Sequence, residues 1–143
     1  MILYLDTSAL VKLYADEVSS GLVRDAVAAA AAVATHVISY VEARAALARK
    51  VRERALPPTQ WARCKADLDA DWPLLDIIGI DDPLRLRAAE LAEHHSLRGF
   101  DSLHLAAAEF AFDAAASRDG FRFAVFDHRL REAASARGLP LLV

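Results

Sequence analysis

The sequence predicts an α/β fold with a mainly parallel sheet and helices on both faces. Three observations carry that reading. Short apolar runs rich in strand formers alternate almost throughout with longer segments of helical periodicity. The first run is apolar on consecutive residues, the pattern of a strand buried on both faces. The chain also has 143 residues, of which 55% are hydrophobic, enough for a real core in a single domain spanning 1–143.

Each element has its own warrant. "ILYL" (Ile2–Leu5) is the first strand, and a helical stretch with Leu10, Leu13 and Tyr14 at helical spacing follows it. Helix continues over 18–33, with Gly21 as its weakest point. "THVIS" (Thr35–Ser39) contains β-branched residues and reads as the second strand. Residues 40–54 are helical until Pro57-Pro58 ends the pattern, and another helix covers 59–70. "LLDIIGI" (Leu74–Ile80) is the third strand. "DDP" then starts a helix, with Asp82 as N-cap and Pro83 in its first turn, running to about His95. "DSLHLAAAEFAFDAAA" (Asp101–Ala116) is the next helix. "FRFAVF" (Phe121–Phe126) is a fourth strand, "DHRLREAASAR" a helix with Gly138 placed for a C-terminal cap, and "LPLLV" a fifth strand.

Composition narrows the function classes. The formal net charge is −3, so the overall basic balance typical of nucleic-acid binders is missing. Contact with a polyanion must then come from a local patch or from metal ions. The lone cysteine, Cys64, excludes an internal disulfide and suits a reducing cytoplasm. No basic region precedes an apolar run at the N-terminus, so no signal peptide is expected. The longest apolar run, Ala26–Ala34, falls far short of the ~20 residues needed to span a bilayer, so no membrane contact is expected either.

Carboxylates recur at the ends of the strands, and in an open parallel sheet those ends share the edge where ligands bind. Asp6 follows the first strand, Ser39-Tyr40-Val41-Glu42 the second, Asp81-Asp82 the third and Asp127 the fourth. Taken singly each is explained as a helix cap, and "SYVE" matches a capping box. Together they are harder to explain so. A cap is worth ~1 kcal/mol, whereas two carboxylates ~4 Å apart repel by ~4 kcal/mol at an effective dielectric of ~20. A cation among them removes the penalty, and Mg²⁺ or Mn²⁺ suits hard oxygen donors. Metal-assisted phosphodiester hydrolysis is the chemistry such a site performs. Asp101, opening a helix after "RGF", competes with Asp81 and Asp82 as the remaining acid, and pattern alone leaves that choice open. Thr7 and Ser8 either support Asp6 or cap the first helix.

Other chemistries fit "DTSAL" poorly. An aspartyl-phosphate enzyme wants a second Asp where Ser8 stands, and a metal-dependent adhesion module wants a serine where Leu10 stands. A dinucleotide site needs a glycine-rich turn after the first strand, and there is none.

Four segments, "LDTSALVKLY", "SYVEARAAL", "FDSLHLAAA" and "FAVFDHRLREAASARGLPLL", resemble in order and separation the PIN-domain family. The likeness is to the VapC-type toxins of toxin–antitoxin pairs. The resemblance implies a PIN-like three-layer α/β/α sandwich on a roughly five-stranded sheet, and an endoribonuclease using Mg²⁺ or Mn²⁺. By position it implies Asp6, Glu42, Asp101 and Asp127 as the catalytic and metal-binding quartet, favouring Asp101 over Asp81 and Asp82. Asp6 and Asp101 would be the main ligands, Asp127 would complete the site, and Glu42 would bind a second metal or orient water. Many members carry Thr or Ser two residues before the last acid, where this chain has Val125. That departure leaves open a catalytically weak PIN-like interaction module; a PIN nuclease outside toxin–antitoxin systems is the other alternative.

Arg44, Arg49, Lys50, Arg52, Arg54, Arg63 and Lys65 crowd a region in which Glu53 is the only acid. With Trp61 among them they form a candidate RNA-binding patch, cations on the backbone and the indole stacked on a base. The rival reading is a solvated helix face. By resemblance the same helical arm would form a homodimer and receive an antitoxin. His104 in "SLHLA" reads as a packed or hydrogen-bonded helix residue rather than a ligand.

Overall fold

In the computed structural model, which describes residues 1–143, four parallel strands form one sheet in the order β3-β2-β1-β4. The elements are β1 (Ile2–Leu5), α1 (Thr7–Val11), α2 (Ser20–Ala29), β2 (Ala32–His36), α3 (Ile38–Arg52), α4 (Pro58–Asp71), β3 (Asp76–Ile78), α5 (Asp82–His95), α6 (Gly99–Asp113), β4 (Phe121–Ala124) and α7 (His128–Ala136). The central strand β1 divides two cores by simple alternation of its side chains. Leu3 and Leu5 join Leu10, Val23, Leu47 and Leu68 from α1 to α4 on one face. Tyr4 joins Leu84, Leu91, Leu105 and Leu130 from α5 to α7 on the other. The three-layer sandwich is therefore as the sequence predicts. No helix is long and apolar enough to cross a membrane.

The sheet has four strands rather than five. "LPLLV" contributes only an isolated parallel bridge between Leu141 and Phe123. Pro140 has no N–H to extend a ladder, and its carbonyl simply accepts from Phe123 N at 2.8 Å. The second strand also lies three residues earlier than expected. Ala32, Val33 and Ala34 pair with Ile2, Leu3 and Tyr4, so an alanine-rich stretch that reads as helix becomes strand. Tertiary pairing beside the central strand overrides weak local propensity there. Consequently Ile38 and Ser39 lie inside α3, and "SYVE" is not a capping box. Ser39 is fully buried, and its hydroxyl lies 2.7 Å from that of Thr35. The α5 cap also shifts by one residue: Asp81, not Asp82, accepts from Leu84 N at 2.8 Å. Gly138, at φ +76, ends α7 as expected.

The order of the strands fixes where a ligand can enter. After β1 the chain passes to α1 on one face of the sheet, and after β4 it passes to α7 on the other. The carboxyl ends of β1 and β4 thus form a topological switch point, the crevice where open parallel sheets bind ligands. Leu47 anchors α3 beneath this edge and is completely buried. Replacing it in Leu47→Ala is expected to cost about 3 kcal/mol, the usual range for an aliphatic core truncation, measured by urea unfolding. Phe110→Ser, at a position 62% exposed, should change stability by no more than about 0.5 kcal/mol.

Candidate active site

Asp6 leaves β1 in an extended conformation and turns directly into α1. Its Oδ1 accepts from Ala9 N at 2.9 Å and from Ser8 Oγ at 2.7 Å, and Ser8 Oγ is 2.9 Å from Oδ2. A hydroxyl has one proton, so Ser8 shares it between the two oxygens. Ser8 Oγ in turn accepts from Phe126 N at 3.1 Å, stitching the chain after β4 to the chain after β1. Asp127 sits just beyond that stitch and caps α7, its Oδ2 accepting from Leu130 N at 3.0 Å. Capping and membership of the acidic edge are therefore not alternatives for Asp6 and Asp127; each does both. Thr7 is no cap: its hydroxyl donates to Glu42 Oε1 at 2.6 Å.

Glu42 lies one turn into α3, and Asp101 lies in the first turn of α6, where Arg98 Nε donates to its Oδ2 at 3.1 Å. All four acids of the quartet line one open cleft of about 700 Å³, with Thr7, Ser8 and His104. Asp81 instead lines a separate groove between β3 and the α5–α6 pair, and Asp82 is solvent-exposed. The third strand is an edge strand, so its end lies away from the switch point.

Burial pushes the Asp6 carboxyl up to about 6, and Asp127 adds to the rise, against the lowering effects of His104, Ser8 and the Ala9 N–H. Burial also pushes Glu42 up, but hydrogen bonds from His104 and Thr7 outweigh it and hold this carboxyl below the usual range. His36, fully buried at the end of β2, is pushed down to about 4 by burial and by His104. The floor of the cleft thus holds one strained carboxyl and one that is firmly ionised.

Cations rim the same cleft. Of the expected basic patch, Arg49, Lys50 and Arg52 reach it, whereas Arg44 and Trp61 do not. Arg44 donates to the Tyr40 hydroxyl at 2.9 Å, and Trp61 packs against the core of the α1–α4 face with Lys65 over its ring. Lys12 and Arg98 are cleft cations that the sequence reading passed over, and the half-exposed Phe100 is its aromatic. Arg98 carries a local signal, an i,i+3 spacing to Asp101. Lys12 carries none, because its place depends on Glu17, which binds both Lys12 (3.2 Å) and Lys50 (2.6 Å). Val125 is buried in the core of the α5–α7 face and brings no hydroxyl to the cleft.

The donor set suits a hard divalent cation: the quartet's four carboxylates on one cleft, with Glu17 and Glu53 also lining it, and no thiolate. The acids nevertheless stand apart, and no three Asp, Glu or His side chains lie close enough to hold an ion between them. Asp101 is paired with Arg98, and Asp127 is engaged in capping α7.

The model of the PIN domain matches residues 3–135. The chain belongs to the PIN-domain family. Ribonuclease VapC49 of Mycobacterium tuberculosis is 33% identical over 137 residues, 96% of this chain and 92% of that protein. Among solved structures, FitAcB from Neisseria gonorrhoeae aligns over 99% of this chain and 96% of its own, with a TM-score of 0.67 at 19% identity. A toxin-antitoxin complex from Klebsiella pneumoniae aligns over 86% and 84%, with a TM-score of 0.60 at 15% identity. These structures share the PIN fold: a parallel sheet between helical layers, here with the acids at its switch-point edge.

The raised Asp6 carboxyl has a thermodynamic consequence. The folded state binds its proton more tightly than the unfolded chain does. Its stabilising contribution is present below about pH 4 and is lost as pH rises through about 6. In metal-free protein, Asp6→Asn keeps the helix cap and removes this penalty. The variant should be more stable than the parent at pH 7, by on the order of 3 kcal/mol at most, with the gain vanishing near pH 4. Urea titrations across that range check it.

Proposed function

We propose that this PIN domain is an endoribonuclease, the toxin of a toxin–antitoxin pair, that hydrolyses RNA phosphodiesters with Mg²⁺ or Mn²⁺. The convergence of Asp6, Glu42, Asp101 and Asp127 on one cleft, from four separate segments, is the observation that carries it. The family membership and the 33% identity to a protein named ribonuclease VapC49 support the reaction class. The fold shared with a toxin-antitoxin complex supports a cognate antitoxin as partner. A homodimer and a cytoplasmic location complete the reading.

In this reading Asp6 and Asp101 would hold the cation, Asp127 would complete the site, and Glu42 would orient the attacking water or assist a second ion. When bound, the cation supplies Lewis acidity to the phosphate and lowers the pKa of a bound water. Ser8 keeps the Asp6 carboxylate aimed by hydrogen-bonding both of its oxygens. Asp101 would serve as a ligand to the cation, and Arg98, 3.1 Å from it, would be available to a phosphate oxygen. Arg49, Lys50, Arg52 and Lys12 draw the RNA backbone across the mouth of the cleft. Glu17 neutralises part of that rim until phosphate competes for the two lysines.

Single-stranded RNA incubated with purified protein and Mn²⁺ should be cut, and EDTA should stop the reaction. Asp6→Asn and Asp101→Asn should each lower the rate by more than about 100-fold, beyond what loss of a supporting residue usually costs. Cleavage that survives chelation, or survives both substitutions, overturns the reading.

A further inference from the structure

A buried polar chain stands behind Glu42 and belongs to none of the four acids. Tyr4, in the middle of β1, is fully buried, and its hydroxyl lies 3.0 Å from His104 Nδ1. His104, on α6, is 2% exposed, and its Nε2 lies 3.0 Å from Glu42 Oε1 and 3.1 Å from Thr7 Oγ1. The Thr7 hydroxyl lies 2.6 Å from the same Glu42 oxygen. Three helices, α1, α3 and α6, therefore meet at one carboxylate oxygen, with β1 behind them.

The direction of every proton follows from what each group can give. An ionised carboxylate only accepts, so Thr7 spends its single proton on Glu42. Thr7 Oγ1 can then only accept from His104. Both partners of Nε2 are thus acceptors, and Nε2 carries the ring proton. In the neutral ring Nδ1 is left to accept, and Tyr4 O–H, buried and with no other side-chain partner, donates to it. The chain reads Tyr4 O–H to Nδ1, Nε2–H to Glu42, with Thr7 O–H to the same oxygen.

Glu42 Oε1 is consequently saturated by two donors, while Oε2 has no protein hydrogen bond and opens on the cleft. A free glutamate on the second turn of a helix has three rotatable bonds, and ordering it costs entropy that these contacts offset. We propose that His104 is a positioning residue: with Thr7 it fixes Oε1 of Glu42 so that Oε2 alone engages the cation or the attacking water. This rests on the nuclease reading above, and it explains why a histidine is buried at the root of an acidic cleft.

Two measurements test it. In metal-free protein labelled with ¹⁵N-histidine, the His104 ring should carry its proton on Nε2, with Nδ1 unprotonated, and Glu42→Ala should disturb that signal. A ring whose Nε2 carries no proton overturns the proposal. In kinetics, His104→Leu combined with Tyr4→Phe leaves no buried hydroxyl without a partner. The pair should lower kcat by about 10- to 100-fold with KM for RNA nearly unchanged. His104→Gln, whose amide both donates to Glu42 and accepts from Tyr4, should recover most of kcat. Equal kcat in the Leu/Phe pair and the parent, at equal melting temperature, overturns it. A parent protein that cuts no RNA sinks the nuclease reading instead, and the tautomer measurement, which needs neither metal nor RNA, still decides whether His104 holds Glu42.

Discussion

A carboxylate buried at the end of the central strand is the constraint around which this PIN domain is organised. β1 is covered on both faces, so whatever follows it emerges among core residues, and Asp6 is only 3% exposed. Burying a charge is tolerable only with partners or with a counter-ion. Ser8 and the Ala9 N–H supply partial compensation, yet the carboxyl is still pushed up to about 6. The remaining strain is the kind that functional sites keep, because a bound cation would relieve it.

The other acids are handled by the same device with different donors. Each gives one oxygen to the protein: Glu42 to Thr7 and His104, Asp101 to Arg98, Asp127 to the Leu130 N–H. The second oxygen of each is left without a protein partner. Donors taken from α1, α6 with its N-cap Arg98, and α7 thus orient the acids while leaving the second oxygen of each open. The cationic rim is built in the reverse sense, with Glu17 bridging Lys12 and Lys50 so that the positive charge is held in place rather than spread over solvent.

Much of this was legible in the residues. The runs that became strands, the helices between them and the acids at their junctions follow from period and punctuation, because burial on both faces imposes an unmistakable pattern on β1 and β4. The second strand was misplaced because Ala32–Ala34 is chosen for close packing beside β1, not for strand propensity. The fifth strand shrinks to a single bridge at Leu141, next to Pro140. Trp61 lies among cations in sequence and so reads as available for a base, but its helix packs it against the core. Arg98 could have been paired with Asp101 by spacing, whereas nothing local connects Lys12 to Lys50 or His104 to Tyr4, which are a hundred residues apart.

The sequence by itself determined the α/β class, the family and the residue types that the edge of the sheet would carry. Those depend on periodicity and on short motifs, which are local. Only the tertiary structure decided which acids share a cleft. Pattern nominated Asp81 and Asp82 because they follow a strand, yet β3 is an edge strand, and its end opens on a different groove. Asp101 comes to the cleft because α6 packs across β1 and β2, bringing His104 against Tyr4 and Glu42 and setting the first turn of the helix at the switch point. Strand order is a long-range property, and no window of sequence contains it.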